Sequence, residues 1–511
     1  MHSPIASISR RRLLAGAVSM AATGAAIHLP HVGRVAAQDG VADSLVIDLD
    51  GELESIHPSL AYSGRDWSVV HSIYDSIVAI DASGAVVPLA AETFTTEDAT
   101  TFTVVLREGL EFHDGTPVTA EALRGSWQFL MESGSSAVDL FTVITDVTVD
   151  GEREATIVCD APAPWLPAQI ATWMMLVPPG YTEDQALNEP IGTGPYIFNS
   201  YAQGQDVQLR RFEGYRLGEV KGEALAETVT FRIVPDPATR VADVATGTAH
   251  IADHIPEDFR AEVEGQGATV IDDPLVGSQW VRIATDAPPF DDPRVRQALN
   301  YAVDNQTIAE ALLGPGTTAL GSIFPDKRAP GYLESVEPYP YDPDRARALL
   351  AEAGVEEGTE VQLEMTQSSR RDIAEAIASN LEDVGFSVEI VASDLATFNA
   401  GWSDPERPAL RLATWSPLFE PHTLLSLVFV SEGFLSRYAN AEVDDLFAQA
   451  SVEADDDARR ALLESINEAM HGDPPVIFLW NLTATYAVKD AGAAWQPQGN
   501  EQIVPVAVPS S

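Results

Sequence analysis

The residues that could carry metal chemistry begin with two histidines, His250 and His254, separated by three residues. On a helix, this H-x-x-x-H spacing places two imidazoles on one face, where they can bind zinc. Zinc proteases also need a glutamate directly after the first histidine, but Ile251 stands there, and Pro256 interrupts the segment. We therefore predict no metal site, and we expect no cofactor.

Other catalytic patterns are not found in the sequence. It contains no G-x-S-x-G, H-E-x-x-H or Walker sequence, and its one cysteine, Cys159, cannot form a cysteine cluster. The acidic pair Asp272-Asp273 and the run Asp455–Asp457 could supply the two carboxylates of a glycosidase, but solvated loop charge is the better interpretation. We predict no catalytic residue. Binding is therefore favoured over catalysis, with a secreted hydrolase as the alternative.

A strong negative charge limits the possible partners. The 511 residues include 30 basic and 77 acidic residues, which give a formal net charge of −47. Nucleic acid is a polyanion that requires a basic surface, so this composition excludes it as a partner. The negative charge is spread over the chain, which favours a general surface property. A role of the charge in recognising a cationic ligand stays open.

The N-terminus has the pattern of an export signal. Three arginines in Ser9–Arg12 precede an apolar run, Leu13–Ile27, and small residues at Val35–Ala37 offer a cleavage site. This arrangement predicts a twin-arginine signal peptide at residues 1–37, too short and wrongly flanked for a membrane span. Retention of the segment as an anchor is the alternative. Because Cys159 lies far from the signal, we expect no lipid attachment.

The N-terminal third shows clear local patterns of helices and strands. Apolar residues of Val69–Val78 recur at helical spacing. Residues 101–107 alternate between apolar and polar side chains, as in a strand with one buried face. Asp114-Gly115 then predicts a turn, and Thr119 predicts the start of a helix.

The C-terminal half predicts a strand, a helix and a second strand, at Val361–Met365, Ile373–Val384 and Phe386–Ile390. Two strands connected in this way form a parallel pair with a right-handed crossover. Asp342-Pro343 predicts a helix start, because the aspartate caps the helix and proline suits its first position, and another helix is predicted to start after Pro293.

Several stretches resemble signature phrases of the family 5 extracellular solute-binding proteins. They are Pro88–Glu92, Leu106–Glu121, Gly192–Tyr196 and Pro289–Asp304, and the likeness extends over residues 44–488. Members of this family capture peptides, nickel complexes, opines or oligosaccharides for ABC importers. The resemblance therefore implies that this protein captures a small solute and delivers it to the permease subunits of an ABC importer.

The resemblance also implies an α/β fold with two lobes, a periplasmic-binding-protein-like fold of class II. Mixed sheets with flanking helices form the lobes, and a small lobe is inserted in the first domain. The predicted segments are residues 43–80, 190–276 and 478–511 for domain I, 81–189 for the inserted lobe Ib, and 277–477 for domain II.

The same resemblance implies a ligand site in the cleft between the lobes. Trp415, at a strand end in domain II, is expected to stack on the ligand, and Glu420 corresponds to a family acid. The other predicted binding residues are Ser416, Tyr62, Trp67, Gln367, Arg437 and Tyr438. Trp415 as an ordinary core residue is the alternative.

Two departures from the family pattern bear on the ligand. Dipeptide binders carry an aspartate three residues after this tryptophan for the ligand ammonium, but Leu418 stands there. A second tryptophan of the family corresponds to Leu395. Either Glu420 takes the role of the aspartate or the ligand has no free α-amino group. We expect an oligosaccharide or a modified peptide, with oligopeptides still possible because they can be held through their backbone.

The remaining expectations concern the state and place of the protein. We expect a monomer in the periplasm or at the outer face of the cytoplasmic membrane. A protein that binds nickel or another metal complex is an alternative, which the few histidines disfavour. A surface adhesion or scaffold protein is a second alternative, and it would show no closure of the lobes on a ligand.

Overall fold

The computed structural model describes residues 41–314 and 316–507. The predicted signal peptide, residues 1–37, lies outside the described residues. In the part of the chain that the structure describes, no helix is long and apolar enough to cross a membrane.

The chain begins in the first lobe and then enters the small lobe. The first lobe starts with strand β1 (Ala42–Leu49) and helix α1 (Gly64–Ile73). The elements that follow, most of them in the small lobe, are β2 (Val78–Ile80), β3 (Val86–Pro88), β4 (Ala91–Thr95), β5 (Thr101–Leu106), α2 (Ala120–Glu132), β6 (Ile144–Val149), β7 (Glu154–Cys159), α3 (Leu166–Trp173) and α4 (Glu183–Asn188). Strands β4, β5, β7 and β6 form a separate four-stranded sheet.

The chain then returns to the first lobe and crosses to the second. The returning elements are β8 (Tyr196–Ala202), β9 (Asp206–Arg211), α5 (Gly218–Lys221), β10 (Glu223–Ala224), β11 (Ala226–Ile233), α6 (Pro237–Thr246), β12 (Ile251–Ala252) and α7 (Arg260–Gly265). The long strand β13 (Thr269–Ile283) leads into the second lobe.

The second lobe is built from one continuous stretch of chain. Its elements are α8 (Pro293–Ala302), α9 (Asn305–Leu312), α10 (Pro343–Ala353), β14 (Thr359–Thr366), α11 (Arg371–Asp383), β15 (Phe386–Ser393), α12 (Leu395–Ala400), β16 (Leu410–Trp415), α13 (His422–Leu424), α14 (Ala441–Ala450) and α15 (Asp456–Gly472). Strand β17 (Val476–Val488) returns to the first lobe, where β18 (Val506–Ala507) pairs with β10.

One ten-stranded mixed sheet connects the two lobes. Its strand order is β15, β14, β16, β13, β17, β12, β1, β11, β9 and β8. Strands β13 and β17 pair antiparallel along most of their length and therefore belong to both lobes. The protein thus has the predicted two-lobed α/β fold with an inserted small lobe. The residue limits given above for the three domains remain our proposal.

The helix starts in the second lobe follow the predicted chemistry. Asp292 caps α8 by accepting from the Arg294 amide, and Pro293 occupies the first position of the helix. Asp342 caps α10 by accepting from the Arg345 amide, and Pro343 occupies the first position of that helix. Thr119 stands at the predicted start of α2, but its side chain forms no capping hydrogen bond. Strands β14 and β15 are parallel, as predicted.

Helix α1 ends earlier than its apolar spacing predicts. It stops at Ile73, and Tyr74 is extended, so the helical pattern of Val69–Val78 is wrong for its last turn. The physical reason is the loop that contains Gly192 and Gly194. The Gly194 amide donates to the Ile73 carbonyl at 2.8 Å, which gives that carbonyl a partner from outside the helix.

His113 ties a turn of the small lobe to this same loop. Its Nδ1 accepts from the Gly192 amide at 3.3 Å, so Nε2 carries the proton and donates to the Gly194 carbonyl at 3.0 Å. The His113 amide also donates to the Gly192 carbonyl at 2.9 Å. Two segments that are far apart in the sequence therefore contact each other in the fold. They are His113-Asp114-Gly115 and Gly192–Tyr196.

This contact predicts a loss of stability in acid. Burial lowers the pKa of His113 to about 4, while an unfolded histidine titrates near 6.5. The unfolded chain therefore binds a proton that the folded chain does not bind. As a result, the free energy of unfolding decreases as the pH is lowered from about 6.5 to about 4. Acidification from pH 7 to pH 4.5 lowers the free energy of unfolding of both proteins. We expect this decrease to be about 1–3 kcal/mol smaller for His113→Asn than for wild type. Urea unfolding at both pH values measures the difference, and equal losses would contradict it.

Candidate functional site

The two crossing strands form the floor between the lobes. Their pairing shifts register between Pro274 and Ser278 in β13, where Asn481 is the next paired residue of β17. The ladder is irregular there, and such interruptions bend strands and re-aim side chains. The candidate site lies beside this irregular region, since Ser278 pairs with Trp415 at the end of β16.

A cavity of about 240 Å³ lies between the lobes at this point. Both lobes and the C-terminal segment, residues 495–507, contribute to its walls. The lining residues are Tyr62, Ser63, Gly64, Arg65, Trp67, Ser68, Asp253, His254, Ser416, Glu501 and Ile503. Ser416 is the contribution of the second lobe, and the first lobe supplies most of the others through the start of α1 and the turn after β12.

Aromatic side chains form one wall of the cavity. Tyr62 and Trp67 both contact Trp173 of the small lobe, with ring centroids 5.2 Å and 5.5 Å away. The Tyr62 hydroxyl shares a hydrogen bond with Ser135 Oγ at 2.8 Å and accepts from the Ser136 amide at 3.0 Å. Tyr62 is 41% exposed and Trp67 is 7% exposed, so only Tyr62 presents a large open face.

The second lobe faces this wall with the end of β16. Trp415 is half-buried and packs against the hydrophobic core of its own lobe. Ser416 follows it, and its Oγ is buried with no hydrogen-bond partner among residues 41–314 and 316–507. Gly277 allows this close approach, because a Cβ there would lie 2.6 Å from the Ser416 Cβ. Ser416 is therefore held tightly against the crossing strands.

An ionic cluster closes the first-lobe side of the cavity. His254 Nε2 lies 3.0 Å from Glu501 Oε1, and its Nδ1 faces Asp253 Oδ2 at 3.4 Å and Asp50 Oδ2 at 3.7 Å. Arg65 donates to the other oxygen of Asp50 at 2.6 Å. Burial acts to lower the pKa of His254, but Asp253, Glu501 and Asp50 outweigh it and raise that pKa well above its usual value.

The remaining predicted site residues contact other parts of the protein. Glu420 accepts from Arg459 at 2.7 Å and from the His422 amide at 2.9 Å. Arg437 pairs with Asp286 at 2.7 Å, Tyr438 donates to the Asp473 carbonyl at 3.0 Å, and Gln367 is exposed after β14. None of these four is among the residues that line the 240 Å³ cavity, and their role in binding remains a prediction.

The sequence patterns did not identify Arg65, Asp253 or Glu501. Glu501 comes from the C-terminal segment, 247 positions after its partner His254, and no local spacing connects such distant residues. The sequence spacing pairs His254 only with His250. The structure separates the two, because His250 Nδ1 accepts from the Val46 amide at 2.9 Å and does not belong to the cluster.

Two contacts connect the small lobe with the second lobe across the cleft. Trp165 stacks on His422 with ring centroids 4.2 Å apart and planes 9° apart. Gly84, in the turn between β2 and β3, lies so close to Arg328 that a Cβ would come 2.5 Å from its carbonyl oxygen. The fold and the cavity together define a two-lobed binding protein whose lobes meet around a small, partly open cavity.

Comparison with known proteins assigns this two-lobed binding protein to a family. Residues 85–435 match the bacterial extracellular solute-binding proteins, family 5 Middle. The match covers more than half of the sequence, so the chain belongs to the family 5 extracellular solute-binding proteins. The prediction made from the signature phrases is confirmed.

Individual relatives agree with this assignment. The glutathione-binding protein GsiB of Escherichia coli (strain K12) is 26% identical over 499 residues, which cover 89% of this chain and 94% of GsiB. The ABC transporter substrate-binding protein CtaP from Listeria monocytogenes superposes with a TM-score of 0.81 at 22% identity, covering 92% of this chain and all of CtaP. The oligopeptide-binding protein AppA from Bacillus subtilis, solved with a nonapeptide, gives 0.75 at 18% identity over 92% and 98% of the two chains.

Proposed function

We propose that this protein captures a short peptide or a peptide-like solute and delivers it to the permease subunits of an ABC importer. The observation that carries this proposal is the 240 Å³ cavity whose walls come from both lobes. A ligand that contacts Tyr62 on one side and Ser416 on the other stabilises the closed state by the interaction free energy that these two contacts provide together. Capture therefore needs no chemical step, and we propose no enzymatic activity.

The chemistry of the cavity supports a ligand with hydrogen-bond acceptors. Trp67 Nε1, Arg65 Nε and Ser416 Oγ belong to lining residues, are buried, and have no partner in the described part of the chain. Buried polar groups are normally paired, so a solute that supplies carbonyl or carboxylate oxygens would relieve this deficit. Peptides supply such oxygens at every residue.

The size of the cavity narrows the ligand class. Typical ligand pockets measure roughly 300–1,000 Å³, and 240 Å³ lies just below that range. This cavity alone suits a ligand of about two or three amino acid residues, and a second cavity of about 430 Å³, which Pro417 and Phe419 of the second lobe help to line, gives room for a longer peptide. GsiB, a glutathione-binding protein by name, supports the same choice. Within the cavity we propose Tyr62, Trp67 and Ser416 as ligand contacts, with Trp415 next to them as the aromatic platform.

The place and state of the protein complete the proposal. Residues 1–37 direct export by the twin-arginine route, and the mature protein acts as a monomer outside the cytoplasmic membrane without a lipid anchor. The arginines of Ser9–Arg12 support the export route, and the position of Cys159 far from the signal supports the absence of lipid. Size-exclusion chromatography and mass spectrometry of the secreted protein test these points.

The identity of the ligand can be determined directly. Small molecules released by denaturing the purified protein are identified by mass spectrometry and then tested in a thermal-shift panel with glutathione, di- and tripeptides, and oligosaccharides. A ligand at about 100 times its Kd should stabilise the protein by about 2.7 kcal/mol. Stabilisation by oligosaccharides alone would overturn the peptide proposal.

Replacement of Tyr62 tests the site itself. We expect Tyr62→Ala to weaken binding of the identified ligand at least tenfold, because it removes the exposed aromatic wall of the cavity. The melting temperature without ligand should fall modestly, because Tyr62 is 41% exposed but the variant loses its hydrogen bonds with Ser135 and Ser136 and its contact with Trp173. Tyr341→Ala is the matched control, because Tyr341 is 43% exposed and does not line the cavity. Equal affinities for both variants, measured by calorimetry, would contradict the site.

A further inference from the structure

We propose that Asp50, Asp253 and His254 form a binding site for a divalent transition-metal ion of the zinc type. The three residues lie in the first lobe, where Asp253 and His254 form part of the cavity lining. Asp50 follows β1, and Asp253 and His254 follow β12, which pairs with β1 in the central sheet. The pairing of these two short segments therefore brings the three side chains together.

The spacing of the ligand atoms supports a bound ion. His254 Nδ1 lies 3.4 Å from Asp253 Oδ2 and 3.7 Å from Asp50 Oδ2. Both distances exceed the usual 2.7–3.2 Å of an N–H···O hydrogen bond. Zinc bonds of about 2.0–2.2 Å in tetrahedral geometry place neighbouring ligand atoms about 3.3–3.6 Å apart. One atom from each residue lies within 4.8 Å of the other two.

Burial of Asp253 is an independent observation that points the same way. Asp253 is 3% exposed, and its Oδ1 has no hydrogen-bond partner in residues 41–314 and 316–507. Arg240 Nε approaches this oxygen only to 3.8 Å. A buried carboxylate without hydrogen bonds is costly, and buried charges are normally paired or coordinate a metal. A metal ion on Oδ2 would neutralise the buried charge of this carboxylate, and Oδ1 would keep Arg240 as its nearest cation.

The surrounding residues contact other atoms of His254 and Asp50 than the proposed ligand atoms. Glu501 Oε1 lies 3.0 Å from His254 Nε2 and so fixes the ring with Nδ1 turned toward the aspartates. Arg65 holds the other oxygen of Asp50 at 2.6 Å. A carboxylate behind the coordinating imidazole is the usual support of a metal-bound histidine. Binding of the ion must displace the proton that these carboxylates favour on the ring, so uptake of metal should increase with pH.

The set of donors selects the class of metal. One imidazole nitrogen and two carboxylate oxygens suit zinc and its neighbours, whereas magnesium and calcium take six or more oxygens. Asp253 and His254 also line the cavity. The fourth coordination position therefore faces the cavity, where water or a donor atom of a solute can occupy it.

Cobalt titration tests this site. The mature protein is treated with a chelator, freed of solute, and titrated with Co²⁺ in the presence of excess Mg²⁺. We expect one Co²⁺ per chain, with the absorption of a tetrahedral site and displacement by Zn²⁺. Asp253→Asn and His254→Gln should weaken the affinity at least 100-fold, and Glu501→Gln about tenfold, as supporting residues commonly do. His250→Gln, a histidine four positions away, should keep the wild-type affinity.

The possible results distinguish Co²⁺ bound at this site from Co²⁺ attracted to the acidic surface in general. Binding that the excess Mg²⁺ abolishes, or that all variants retain equally, would overturn the site in favour of diffuse surface binding. A wild-type protein that takes up no Co²⁺ would overturn it as well. If Asp253→Asn fails to fold, Asp50→Asn provides the same test. Because the titration contains no solute, its failure leaves the proposed solute capture untouched.

Discussion

Gly194→Ala is expected to lower the free energy of unfolding by about 3 kcal/mol or more. A Cβ at Gly194 would lie 2.6 Å from the Ile73 carbonyl carbon and 2.7 Å from the Ser72 and Ile73 carbonyl oxygens. These neighbours are backbone atoms at the end of α1, so they cannot rotate away as a side chain would. The new methyl group must therefore push the loop off the helix, and urea unfolding monitored by tryptophan fluorescence measures the cost.

Gly125→Ala is the matched control for this prediction. Gly125 lies inside α2, where an added Cβ would have Pro179 Cα at 3.9 Å as its nearest neighbour. Alanine in a helix interior is favoured over glycine by about 0.5–1 kcal/mol, so this variant should be unchanged or slightly more stable. Equal stability of Gly194→Ala and Gly125→Ala would contradict the packing argument.

Glu364→Gln is expected to destabilise the second lobe by about 3 kcal/mol or more. Glu364 and Arg411 are fully buried, and Arg411 Nε lies 2.9 Å from Glu364 Oε2. Ser393 donates to the other carboxylate oxygen at 2.7 Å, where Arg407 also pairs. Burial lowers the pKa of Arg411 to about 10 even with the carboxylate present. Removing the negative charge leaves a buried guanidinium without its partner.

The same substitution on the surface provides the comparison. Glu375 pairs with Arg371 at 2.8 Å within α11, with both side chains more than half exposed. Such pairs contribute about 0.3–0.5 kcal/mol, so Glu375→Gln should unfold at nearly the same denaturant concentration as wild type. A small effect of Glu364→Gln, similar to that of Glu375→Gln, would show that the buried pair is not required for stability.

The sequence predicted the fold well where local chemistry decides the structure. The Asp-Pro pairs at 292–293 and 342–343 start helices because capping and proline act within a few residues. The parallel pair of β14 and β15 follows from the alternation of strand and helix patterns. The apolar spacing after Val69 predicted one helical turn too many at the end of α1. The Gly194 amide, 121 positions after Ile73, donates a hydrogen bond to the Ile73 carbonyl.

The candidate site was less predictable because distant segments form it. Tyr62, Trp67 and Ser416, named from the sequence, line one cavity, although their contact with a ligand remains a prediction. Glu420 resembled a family acid, and nothing local indicated that Arg459 would pair with it. Glu501 could not be found at all, because its spatial neighbour His254 lies 247 positions earlier in the sequence.

The path of the chain through the two lobes determines the order in which each can be completed during synthesis. The second lobe uses one uninterrupted stretch between β13 and β17, so it can acquire its own core while the last residues are still in the ribosome. The first lobe cannot, because the Ile503 amide donates to Ser68 Oγ at 2.8 Å and β18 pairs with β10. The cavity therefore gains its final wall only after translation of residues 495–507.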